Sequence, residues 1–113
     1  MPPLSPPPVP QKLREMLADY PEHIERLQEV LNHLVETSSA GVDPFDRAIW
    51  LLEGRLETFI SEARKEMKAA KIADDHAGLE KAEAKELLML NARSLRGLHD
   101  LREYVRANRD RFT

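Results

Sequence analysis

The apolar positions of this chain recur every three or four residues, and the longest such run lies at its centre. Phe45, Ile49, Leu52, Leu56, Phe59, Ala63, Met67 and Ala70 form one helical stripe. Asp43 stands before it as an N-cap, Pro44 suits the first helical position, and Asp46 favours the positive end of the helix dipole. The spacing predicts one long helix over 44–73. Its two halves differ. From 45 to 60 it is apolar on more than one side, because Trp50 and Leu51 fall off the stripe beside Gly54, Thr58 and Ser61. From 61 onward, Ala63, Met67 and Ala70 are surrounded by charge, as expected of a narrow two-helix arm.

Upstream, Leu13, Met16, Leu17 and Tyr20 mark a short amphipathic helix over 11–19. Asp19 with Glu22 reads as a capping box, Pro21 falls in the first turn, and Ile24, Leu27, Leu31 and Leu34 carry a second helix over 21–37. Residues 37–42 read as a linker. Downstream, Asp74 to Gly78 interrupts the pattern: acidic residues sit badly at a helix C-terminus, whereas Asp75 can cap a new helix. The expected turn at 74–78 leads into a helix over 79–109 with Leu87, Asn91, Ser94, Leu98, Leu101 and Val105 on one face. A turn near 76 sets Leu87 opposite Met67, Ser94 near Phe59 and Val105 near Ile49. The competing reading is one helix from 44 to 109, roughly 100 Å at 1.5 Å per residue, which needs a coiled-coil partner. Asn91 is either a buried register-setting residue or a half-exposed one at the seam edge.

The sequence thus predicts an all-α chain, a long antiparallel hairpin of 44–73 and 79–109 packed by one or two shorter N-terminal helices, bundle-like. Composition agrees: charged residues make up 33%, aromatics 5%, and six of the eight prolines fall in the first ten residues. Residues 1–10 read as a proline-rich flexible arm and 11–113 as a single helical domain. Pro7 to Lys12 also matches a proline-rich ligand with a basic anchor.

Charge separates the ends. Residues 11–37 carry six acidic and three basic side chains, and 93–113 carry six arginines against three acids. Five of those arginines, Arg93, Arg96, Arg102, Arg106 and Arg109, form a candidate anion-binding set for a nucleic-acid backbone or an acidic partner. The plainer reading is that cations favour a helix C-terminus and offset the acidic N-terminal helices. With a net charge of −3 the whole chain is no generic polyanion binder.

No catalytic pattern emerges. His23, His33, His76 and His99 read as histidines on solvated faces, and Glu29, His33 and Glu36 have ligand spacing without matching HExxH or Glu-x-x-His pairs. No serine sits in a G-x-S-x-G elbow, and the carboxylates interleave with Lys and Arg along helices. No catalytic residue, metal or cofactor is expected. The absence of Cys, of a long apolar run and of a signal-peptide plan sets cytoplasmic as the expected location.

The expected function is that of a non-enzymatic helical protein–protein interaction module, such as an adaptor, chaperone or immunity-like protein. It is expected to self-associate, as a homodimer, through Phe45, Ile49, Trp50, Leu51, Gly54 and Thr58. The alternative is a small nucleic-acid-associated regulator using the Arg-rich C-terminal helix. Salt discriminates, since phosphate contacts weaken steeply with salt and apolar association hardly responds.

Overall fold

A computed structural model describes residues 5–36, 43–94 and 97–108. Residues 1–4, the expected linker at 37–42, Arg96 and Arg109 lie outside the described residues. The described residues form five helices: α1 (Gln11–Met16), α2 (Pro21–Glu36), α3 (Pro44–Ile72), α4 (His76–Arg93) and α5 (His99–Ala107).

The long central helix has the expected start. The Asp43 carboxylate accepts from the backbone N–H groups of Phe45 and Asp46, satisfying donors that the first turn leaves free. Its end is a Schellman motif. Asp75 N–H donates to Ala70 C=O at 2.9 Å and Asp74 N–H to Lys71 C=O at 3.2 Å, with Asp74 in the left-handed region at φ 55°. Asp75 at once caps α4, its carboxylate accepting from Gly78 N–H at 3.0 Å. The turn is therefore real, and the continuous 44–109 helix is excluded. A Cβ on Gly78 would lie 2.3 Å from Asp75 Oδ2, so the cap depends on this glycine.

The turn is tighter than expected, and this shifts the register of the hairpin. Arg64 meets Glu86 and Glu57 meets Arg93, about one helical turn from the expected pairing of Leu87 with Met67. The buried residues of α4 are accordingly Ala82, Met89 and Ala92, while Leu87 is 61% exposed and Asn91 faces solvent. The second arm is also shorter than 79–109. The Ser94 hydroxyl bonds back to Asn91 C=O at 2.7 Å, and Gly97 adopts φ 73°, so the chain turns before α5. Leu101 and Val105 of α5 are then buried.

α2 covers the other side of α3. Leu27, Leu31 and Leu34 meet a core containing Ala48, Leu52, Leu56, Phe59 and Ile60, with Met89 and Ala92 from α4. Tyr20, rather than Asp19, starts α2: its C=O accepts from His23 and Ile24 N–H. At one edge, a bidentate Arg26–Glu62 pair at 2.7 and 2.8 Å joins α2 to α3.

The proline-rich segment departs most from expectation. Pro7, Val9 and Pro10 are buried, so residues 5–10 are a strap on the helices rather than a free arm. The Gln28 amide reads the strap backbone twice, accepting from Val9 N–H at 3.1 Å and donating to Pro7 C=O at 2.9 Å. Arg14 donates to Val9 C=O, and the Tyr104 hydroxyl donates to Ser5 C=O. Proline segments leave carbonyls unpaired, and side chains of α1, α2 and α5 supply the donors.

Candidate functional site

α3 is packed by α2, by α4 and, near its start, by α5, and none of the described residues covers its remaining side. Trp50 lies there, 77% exposed. Gly54 follows one turn later, and beyond its own helix backbone no atom of the described residues lies within 4 Å of where a Cβ would be. Thr58 is exposed, its hydroxyl bonded to Gly54 C=O at 3.2 Å, and Ser61 continues the open stripe. A large planar side chain thus stands beside a shallow, unobstructed stretch of helix. This is the shape into which another helix can settle.

The six expected contact residues do not share that face. Phe45 is half-buried against the core, with the Arg102 guanidinium 4.8 Å above its ring, and Ile49 is half-buried beside α5. Leu51 packs against the core. Only Trp50, Gly54 and Thr58 point outward together. The sequence places Trp50 and Leu51 jointly off the stripe, but adjacent residues are about 100° apart on a helix, and Leu51 turns toward the core.

The outer face of α3 has a charge gradient along its axis. Asp46, Glu53 and Glu57 occupy its N-terminal half, alongside half-buried Arg47; exposed Arg64, Lys65, Lys68 and Lys71 occupy its C-terminal half. Glu57 and Arg64 also pair across the hairpin with Arg93 and Glu86, each at 2.7 Å.

The three candidate anion-binding arginines among the described residues, Arg93, Arg102 and Arg106, each have a neighbour. Arg93 is paired with Glu57, Arg102 stacks on Phe45, and Arg106 meets Glu103 at 3.5 Å. Arg93 ends α4 whereas Arg102 and Arg106 belong to α5, so these three do not lie on one helix.

The sequence reading missed His23. It was expected on a solvated face, yet only 8% of it is exposed, with its ring edge-on to Phe59 at 4.5 Å and to Tyr20 at 5.5 Å. Neither ring nitrogen has a hydrogen-bond partner among the described residues. Burial, with Lys85 and Arg26 nearby, holds its pKa below the ordinary 6.5. The signal was present in the pattern: His23 precedes Leu27 by four residues and so shares the apolar stripe of α2. Beside it, a groove of ≈ 590 Å³ opens between the start of α2 and the start of α4, with Tyr20, Glu66, Lys81 and Lys85 in its wall. Lys85 reaches Glu66 at 3.1 Å and lies 5.6 Å from the Tyr20 ring centroid.

No helix among the described residues is long and apolar enough to cross a membrane. Comparison of the chain with protein-family models, with characterised proteins and with solved structures finds no match.

Proposed function

We propose that this protein is a non-enzymatic helical interaction module, cytoplasmic, whose binding surface is the outer face of α3 and whose partner is a second copy of the same chain. The observation that carries the reading is Trp50, 77% exposed beside the open Gly54. A tryptophan in water next to a cleared helix surface is the usual form of an interface anchor.

The charge gradient argues for a second copy in antiparallel orientation. Reversing one α3 against another sets the acidic half, with Asp46 and Glu53, against Lys65 and Lys68 of its mate. Trp50 then lies over the partner copy's basic half, where a lysine stem and ammonium complement an aromatic face. The aromatic anchor supplies affinity and the charges fix direction. Parallel pairing would bring like charges together.

The test is absolute mass by light scattering across a concentration series. The wild-type chain is expected to pass from monomer to dimer, and Trp50→Ser to remain monomeric with unchanged helicity. Glu53→Lys and Lys65→Glu/Lys68→Glu should each weaken self-association, and mixing those two variants should restore a heterodimer. A wild-type chain that stays monomeric at every concentration refutes the reading.

A further inference from the structure

We propose that His23 is a proton-operated latch: protonation of its buried ring releases α2, and with it α1 and the proline strap, from the α3–α4 hairpin. The geometry carries the proposal. The ring is enclosed between Tyr20 and Phe59, and both nitrogens are shut off from solvent without a hydrogen-bond partner among the described residues. A neutral imidazole tolerates that slot as an aromatic spacer. An imidazolium has two N–H donors with no acceptor, and a buried unpaired charge is strongly disfavoured.

The charged surroundings leave little relief. Asp19 and Tyr20 precede α2; Glu22 and Arg26 face the region from α2, Glu62 and Glu66 from α3, and Lys81 and Lys85 from α4. The two carboxylates on α3 are already engaged: Glu62 holds Arg26 through two bonds and Glu66 holds Lys85. A proton on His23 must therefore break a contact between α2 and α3 or between α3 and α4, or drive the ring out. Displacing the ring opens the seam in which Leu27 and Leu31 pack with Leu56 and Phe59.

The direction with pH follows from linkage. Burial above all, then Lys85 and Arg26, lowers the folded-state pKa below 6.5, so below that pH the unfolded or released form binds the proton more readily. The contribution of His23 is complete above pH 6.5 and is lost as pH falls toward its lowered folded value. Glu62, held by Arg26 below the ordinary 4.5, acts in a separate and more acidic range.

The experiment measures folding equilibrium constants by urea titration, and residue-level amide exchange, between pH 7.5 and 5. Wild type is compared with His23→Phe and His23→Gln. In wild type the constant should fall by up to about tenfold per pH unit below 6.5, the limit for one proton. Amides of α2 should lose protection before those of α4. Both variants should lose the greater part of this slope over the same range. If His23→Phe fails to fold, His23→Gln and the wild-type ring signal in a proton NMR titration decide. The latch is overturned if the variants keep the wild-type slope, if the folded ring titrates at or above 6.5, or if α2 and α4 lose protection together.

Discussion

Val9 offers a direct test of whether the proline strap belongs to the fold. It is 1% exposed and lies in the core cluster with Leu13 and Leu17 of the α1 segment. Val9→Ala removes two buried methyl groups, about 0.8 kcal/mol each by transfer. The vacated space adds a cavity contribution, because strap and helices are held at several points and cannot fully close on it. The expected total is about 2–2.5 kcal/mol. For a chain of this size that lowers Tm by roughly 8–10 °C, read by circular dichroism at 222 nm. Gln28→Ala, which removes both amide contacts to the strap, should cost about 1–2 kcal/mol. The double variant should cost less than the sum, since both changes loosen one element. A Val9→Ala chain that melts within about 1 °C of wild type would refute the packed strap and restore the free-arm reading.

Two further outcomes follow from local geometry. Gly78→Ala should displace the Asp75 cap of α4, offsetting the roughly 0.5–1 kcal/mol that alanine ordinarily gains over glycine in a helix, so that the urea midpoint does not rise. Glu62→Gln breaks a partly exposed ion pair and should cost about 0.5–1 kcal/mol at pH 7. Since the folded-state pKa of Glu62 is lowered, its contribution is present above pH 4.5 and lost as pH falls through the folded value. The two chains should therefore converge in stability in acid, and a constant gap there would count against the pairing.

The helices could be read from the sequence because their signals are local. The Asp43–Pro44 start, the Asp75 cap and the three–four spacing of Leu52, Leu56 and Phe59 depend on neighbours in sequence, and all are present in the fold. Register was not legible. One helical turn's difference at the hairpin moves Leu87 from the seam to solvent and puts Met89 in its place, and only the Schellman end of α3 decides it. The strap was not legible either, because its partners are remote: Gln28 and Tyr104 give no sign in sequence of an affinity for residues 5–9. Of the outward surface, Trp50, Gly54 and Thr58 are legible in the pattern, whereas nothing local reveals that Leu51 packs against the core. His23 was misplaced by residue type against pattern: its position on the Leu27 stripe outweighs the ordinary preference of histidine for the surface.

Trp50 is the only tryptophan in the chain, so its emission reports on the proposed interface without a label. A fluorescence dilution series with acrylamide quenching, with mass determined on the same samples, tests directly whether Trp50 is buried on self-association. Water-exposed, readily quenched emission is expected in dilute solution. With rising concentration the emission should shift to the blue and lose quencher access, with the same midpoint as the monomer–dimer transition in mass. Emission that stays red and quenchable while mass doubles would put the interface elsewhere, and a chain that remains a red-emitting monomer throughout would contradict self-association through this face.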